Sequence, residues 1–312
     1  MFLQGQKVGK YKIIQSLGSG GFGAVFLAKD MWLNIRVAIK VPHKQSTEIY
    51  KLLKEPRLQA ALNHPNIVRM ISAEKKNKTF FMVMEYVEGK TLEKILEKKK
   101  ILDWKEATEY ILQVANGVEH AHNNKIIHRD LRPSNIIISD RNIPKITDFG
   151  TSAWLENVPY ASTRIGSPPY MAPEQFLGKA TFRSDIYSLG CIFYEMIVGR
   201  PPIFDPDPFK ILEKAKKGQI TPPRLKNDRI PKEISQIIMK SLSSNVEDRY
   251  QRASEIVKNI SDFKGKDTKK SEIQDIFGRI KARERMRSDL CWNCRRPLPY
   301  KAQICPYCGE KV

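Results

Sequence analysis

His128-Arg129-Asp130-Leu131-Arg132-Pro133-Ser134-Asn135 is the stretch that decides the reading of this 312-residue chain, and twelve residues separate it from Asp148-Phe149-Gly150. The first stretch sets a carboxylate and a carboxamide five residues apart. A strand-like run, Ile136 to Ile138, and a short connection then bring up a second carboxylate. Two acids and an asparagine converging on one cleft are what metal-assisted phosphoryl transfer uses. One acid orients the attacking hydroxyl, while the other acid and the amide hold Mg²⁺ against the phosphates.

Upstream, residues 11–41 alternate and break like paired strands around Gly18-Ser19-Gly20-Gly21-Phe22-Gly23-Ala24-Val25. Glycines at 18, 20 and 23 let backbone N–H groups wrap an anionic phosphate where a Cβ would obstruct it. A dinucleotide-binding turn would open a helix at this point, whereas Ala24-Val25-Phe26-Leu27 reads as a strand. Seventeen residues past Gly23, Val37-Ala38-Ile39-Lys40 ends an apolar strand on a lysine.

Together these segments resemble the protein kinase family, over about Tyr11 to Phe263. The resemblance implies an α+β, bilobal kinase fold, with a small β-rich N-lobe (11–84), a hinge (85–89) and a large helical C-lobe (90–263) after an N-terminal extension (1–10). It implies ATP held by Gly18, Ser19, Gly20, Gly21, Phe22, Gly23, Val25 and Ala38, with Lys40 on the α- and β-phosphates. Glu55 is the expected carboxylate partner of Lys40, with Glu48 the competing candidate. Pro56 directly after Glu55 predicts a kink or restart in the helical stretch Ile49 to Leu62. Phe80 to Met84 reads as a buried strand leading into the hinge. There the backbone of Glu85 and Val87 is expected to meet adenine, with Met84 behind it.

By the same resemblance, Asp130 takes or orients the acceptor proton, and Asn135 and Asp148 ligate Mg²⁺. The serine/threonine class usually has lysine two residues after the catalytic acid. Arg132 stands there, putting a planar fork in place of a point charge beside the transferring phosphate. Some tyrosine kinases carry arginine at this place. Pro133-Ser134 and Gly166-Ser167-Pro168-Pro169-Tyr170 look like the serine/threonine class, and the reading follows those. An activation segment, 148–174, closes on Ala172-Pro173-Glu174. Thr163 is the first expected phosphosite and Ser162 the second, while Ser167 is expected to hydrogen-bond near Asp130. Asp185 is expected to accept backbone N–H bonds from the catalytic loop, and Arg249 to pair with Glu174. Apolar positions from Leu92 to His122 recur at helical spacing, and His120 and His122 are read as packing or solvent-facing residues.

Hydrophobic content of 41% and charged content of 28% fit a globular protein. No apolar run approaches a membrane span and no signal peptide is evident, so a cytoplasmic protein is expected. The formal charge of +20 comes from lysines scattered end to end. It suits nucleic acid, anionic lipid or an acidic partner, yet dispersed charge makes no binding stripe.

Residues 264–290 read as a basic linker with an amphipathic stripe, Ile273, Ile276, Phe277 and Ile280. Beyond it, Cys291-Trp292-Asn293-Cys294 and Cys305-Pro306-Tyr307-Cys308 leave ten residues between the pairs. Four thiolates close a tetrahedral site, so 291–312 resembles a zinc ribbon holding Zn²⁺, with a rubredoxin-like iron site as the alternative. So few residues cannot build a core, and the metal would be the fold. Cys191, alone in an apolar run, reads as a buried small hydrophobe. The expected activity is ATP-dependent phosphorylation of protein Ser/Thr hydroxyls, with autophosphorylation of the activation segment. The ribbon is expected to recruit or regulate through a protein or nucleic-acid partner. The rival reading is a catalytically silent, kinase-like scaffold or partner-binding protein acting through its tail. A small-molecule kinase of the same fold is disfavoured by Ala172-Pro173-Glu174.

Overall fold

A computed structural model describes residues 2–21, 23–43, 45, 49–76, 78–149, 167–265, 290–298 and 302–312, the side chains of 49–51, 54 and 55 excepted. The chain divides into two compact units, Met1–Ile260 and Ser261–Val312.

The first unit begins with an antiparallel sheet of six strands in the order β1-β2-β3-β4-β6-β5. These are β1 (Lys7–Val8), β2 (Tyr11–Gly20), β3 (Gly23–Asp30), β4 (Ile35–Pro42), β5 (Met70–Lys76) and β6 (Thr79–Glu85). The β3–β4 turn is set by Asp30, whose Oδ1 accepts the N–H groups of Trp32 at 3.0 Å and Leu33 at 3.1 Å. Such side-chain bonds stand in for backbone ones in tight turns. Tyr11, Ile13, Phe26, Ala28, Val37, Ile39, Phe81 and Val83 fill one face of the sheet. Gly23 must be glycine because a Cβ there would collide with the Val41 carbonyl of the neighbouring strand. The close β3–β4 pairing, which puts Val25 opposite Lys40, depends on that gap.

Helix α1 (Ile49–Ala60) runs through Pro56, so the expected restart does not occur. Proline forfeits one helical hydrogen bond, and the burial of Pro56 offsets that loss.

The apolar spacing from Leu92 to His122 resolves into two helices, α2 (Leu92–Lys99) and α3 (Trp104–Asn123). Each start is capped. Thr91 accepts from Lys94 N–H, and Asp103 accepts from Lys105 N–H. Side-chain oxygens satisfy the orphan donors of a helix start in this way. A second sheet, β7 (Gly89–Thr91), β8 (Ile136–Ser139) and β9 (Pro144–Ile146), carries the segment between the two motif stretches. Gly89 is obligatory there, since a Cβ would strike the Ile138 carbonyl.

After the short α4 (Pro173–Phe176), helix α5 (Phe182–Val198) forms the centre of the helical part. It is apolar nearly all round, as a helix buried on all sides must be. Thr181 and Ser184 close its start as a capping box. Cys191 is fully buried on it, as expected, and burial pushes its thiol well up. Helices α6 (Pro208–Lys216) and α7 (Lys232–Ser241) follow, then a helical stretch at 253–265.

Arg249 meets Glu174 as anticipated. Nη1 reaches Oε1 at 2.7 Å and Nη2 reaches Oε2 at 3.0 Å. The Arg249 side chain is fully excluded from solvent, and Ser184 donates a further bond to Glu174 at 2.7 Å. Removing one partner strands a buried charge, so Arg249→Leu is expected to cost about 3–5 kcal/mol in urea unfolding. A loss below about 1 kcal/mol, the range of exposed pairs, would contradict this account.

In the second unit the two Cys pairs sit in equivalent turns. Cys291 N–H donates to the Arg296 carbonyl and Arg295 N–H to the Cys291 carbonyl, both at 2.9 Å. Fourteen residues on, Cys305 N–H donates to Glu310 and Gly309 N–H to Cys305, at 2.8 and 2.9 Å. Bridges Leu290↔Pro297 and Ile304↔Lys311 close the two turns alike. The residue after each second cysteine is left-handed, Arg295 at φ 56 and Gly309 at φ 75. Among the described residues, no helix is long and apolar enough to cross a membrane.

Candidate active site

Strand β4 carries Lys40 into the interior beside a cavity of about 370 Å³. Ser19, Gly20, Gly21, Gly23, Val25 and Lys40 line it from the first sheet. Asp130, Arg132, Ser134, Asn135, Asp148 and Glu93 line it from the other side. Residues 108 apart in sequence meet there: Lys40 Nζ lies 2.8 Å from Asp148 Oδ1.

The catalytic stretch is held from below. Asp185, on the first turn of α5, accepts His128 N–H at 2.8 Å and Arg129 N–H at 2.9 Å, as its sequence position implied. His122 was missed in that role. Its Nε2 donates to Asp185 Oδ2 at 2.8 Å, so it is a buried ligand of the carboxylate, where the sequence suggested only packing or solvent. Burial works against ionising Asp185, but His122 and the loop N–H groups outweigh it and hold its carboxyl below the usual 3.8.

Arg129 and Asp148 adopt left-handed backbone, φ 65 and φ 63, which costs non-glycine residues about 1–3 kcal/mol each. Packing sustains that strain. Phe149 is fully buried with its ring 4.7 Å from His128, and His128 Nε2 donates to the Thr147 carbonyl at 2.9 Å.

Asn135 Nδ2 donates to Asp130 at both its carbonyl (2.7 Å) and Oδ2 (3.1 Å). With the amide nitrogen so spent, the amide oxygen is the atom left to meet a cation. The two carboxylates are tuned apart. Burial pushes Asp130 above 3.8, opposed by His128 and Arg132. Asp148 is also raised by burial, but Lys40 outweighs it and leaves its carboxyl below 3.8. One acid is thus made more basic, suited to receive a proton, and the other stays anionic, suited to hold a metal.

Of the residues expected around the nucleotide, Val25, Ala38, Met84 and Val87 share one apolar cluster. Ala38, Val68 and Met84 are buried together, with Val25, Met70 and Val87 packed against them. Glu85 N–H already donates to the Arg69 carbonyl at 3.0 Å, so at that hinge position the carbonyl is the group to offer a base. The Glu85 carboxylate takes Lys145 Nζ at 2.8 Å, an ion pair with no sequence signal.

A family model described as the protein kinase domain matches residues 11–260. The chain belongs to the protein kinase family. A probable serine/threonine-protein kinase of Clostridium perfringens is 35% identical to it over 87% of this chain and 41% of that protein. The serine/threonine-protein kinase PrkC of Bacillus subtilis is 33% identical over 81% and 40%. PknB of Mycobacterium tuberculosis, also a serine/threonine-protein kinase, is 33% identical over 79% and 42%. The chain therefore spans about two-fifths of the length of these relatives.

In the kinase domain, Ser167 is buried and its Oγ accepts from Arg132 Nη1 at 2.6 Å, the local hydrogen bonding expected of it. Phe22, Glu48, Ser162, Thr163, Gly166 and the Glu55 side chain lie outside the described residues. The linker stripe, Ile273 to Ile280, does too.

Cys291, Cys294, Cys305 and Cys308 offer sulfurs that all lie within 4.8 Å of one another. Cys291–Cys308 and Cys294–Cys305 Sγ separations are 3.5 and 3.6 Å. A tetrahedron with Zn–S arms of about 2.3 Å has edges of about 3.8 Å, so this donor set fits a zinc ion. At Cys305 burial raises the thiol, but N–H groups of Tyr307 and Cys308 outweigh it and bring it down to about 7.

Proposed function

We propose that this chain transfers the γ-phosphate of ATP to serine and threonine hydroxyls of proteins. The observation carrying the proposal is that Lys40, Asp130, Arg132, Asn135 and Asp148, drawn from separate strands and loops, line one cavity beside the glycine-bearing β2–β3 turn. In this reading the acceptor hydroxyl approaches Asp130, whose burial-raised carboxylate receives its proton. Lys40 holds the nucleotide phosphates, Arg132 faces the transferring group, and the Val25–Ala38–Met84–Val87 cluster encloses the base. The Asn135 amide oxygen and Asp148 would hold Mg²⁺, which supplies charge neutralisation at the phosphates.

Incubating the full chain with radiolabelled ATP and a generic protein substrate tests this. Wild type should label serine and threonine, and Asp148→Ala should fall to background. Equal labelling by both proteins would end the proposal.

Autophosphorylation at Thr163, or else Ser162, belongs to the same proposal, because a phosphate on the segment can make charge-assisted hydrogen bonds to a cation such as Arg129, which directly precedes the catalytic acid in sequence. The Cys291, Cys294, Cys305 and Cys308 set is proposed to hold a structural zinc, four thiolates leaving no open position. Trp292 and Tyr307 stand 66% and 54% exposed on that module, which supports a recruiting or regulatory surface.

A further inference from the structure

Arg132 is anchored at both prongs. Nη1 donates to Ser167 Oγ at 2.6 Å, and Nη2 donates to Glu93 Oε1, on the first turn of α2, at 3.2 Å. Its Nε is buried with no hydrogen-bond partner, so among the described residues those two contacts are its whole hydrogen-bonded anchorage. Asp130 and Arg132 line the same cavity, two residues apart, and both Arg132 and Ser167 favour the ionised form of the Asp130 carboxylate. A hydroxyl has one proton, so accepting from the guanidinium leaves that proton to be donated elsewhere. Glu93, Arg132 and Ser167 are therefore bonded in one line that starts on α2 and ends beside the acid in the cavity. A lysine at 132 would reach both partners from one freely rotating nitrogen, whereas the guanidinium holds them from two nitrogens at fixed separation.

We propose that Glu93 is a positioning residue for phosphoryl transfer: it fixes one prong of Arg132, so that the other prong orients Ser167 toward Asp130. The inference rests on the kinase reading above and adds to it the reason arginine replaces the usual lysine. Glu93 itself touches no reacting atom. Its effect should appear in kcat, where Asp130 acts, and leave the KM for ATP alone.

The test is a double-mutant cycle on the full chain, with the thermal transition recorded for every protein. The Glu93 and Arg132 side chains are 44% and 33% exposed, so the pair is partly screened. Glu93→Gln should lower kcat by about two- to fivefold, the range an exposed ion pair supports. In the Arg132→Lys background the same change should alter kcat by less than about 1.5-fold, because a rotatable ammonium does not fix its two partners relative to one another. The wild-type advantage over Glu93→Gln should also shrink as salt is raised from about 0.1 to 1 M. Equal losses in both backgrounds, or an unchanged kcat in Glu93→Gln, overturn the inference. If Glu93→Gln melts early, Glu93→Asp replaces it and must pass the same cycle. A wild type without ATP-dependent labelling defeats the kinase reading itself, which separates the two failures.

Discussion

Asp130→Asn is expected to lower kcat by about 10²–10⁴, with little change in the KM for ATP, when phosphate transfer is followed at saturating nucleotide. The asparagine keeps the shape and the bond to Asn135, but it cannot receive a proton. Because the lost interaction belongs to the hydroxyl and forms in the transition state, nucleotide binding should survive. Loss of ATP binding in this variant would mean that Asp130 organises the cavity and does not act on the acceptor.

The pH profile gives the same claim a second measurement. Burial lifts the Asp130 carboxyl above 3.8, opposed by His128 and Arg132. The active form is the ionised one, so kcat should fall on the acid side, and at higher pH than for an exposed aspartate. Arg132 favours the charged form. Arg132→Gln should therefore move that acid limb further up in pH, while Arg132→Lys, keeping the charge, should move it less. An acid limb moving down in Arg132→Gln would reverse the assigned electrostatics.

What could be read from the sequence and what could not divide along a physical line. That Lys40, Asp130, Asn135 and Asp148 would meet around one cavity was legible, because the expected chemistry needs those residue types at nearly fixed spacing. Val25, Ala38 and Met84 were legible through the strands that carry them. His122–Asp185, Lys145–Glu85 and Glu93–Arg132 were not. Each joins ordinary charged or polar residues from different elements, and residue type alone does not select a partner 39 to 63 positions away. The break between α2 and α3 was hidden for another reason. Apolar spacing continues in phase across Lys100–Asp103, and the cap at Asp103 marks the start of the second helix. Pro56 misled in the opposite direction, since local propensity favours a break where burial keeps the helix whole.

If the proposed zinc site is right, the module carrying Cys291, Cys294, Cys305 and Cys308 should stand or fall with that metal. Its described residues supply almost no core: Cys291 and Cys305 are the buried apolar side chains, while Leu290, Trp292, Ile304, Tyr307 and Val312 are exposed. Apparent zinc-binding energies for structural sites of this kind are about 10–16 kcal/mol near neutral pH, far more than two short turns can supply. The full chain is expected to release one zinc per molecule to a strong chelator. Amide signals from residues 290–298 and 302–312 should then collapse to unfolded positions. Cys305→Ser should do the same without chelator. Because thiolates must shed protons to bind, acidification should release the metal as well, with retention recovering as pH rises. The twin turns add an internal control. Arg295 holds a left-handed conformation that Gly309 adopts without a Cβ, so Arg295→Gly should relieve about 1 kcal/mol and slow metal loss. Gly309→Ala should cost a similar amount and hasten it. Were the signals to stay dispersed after complete metal removal, the two turns would be held by something other than the four sulfurs.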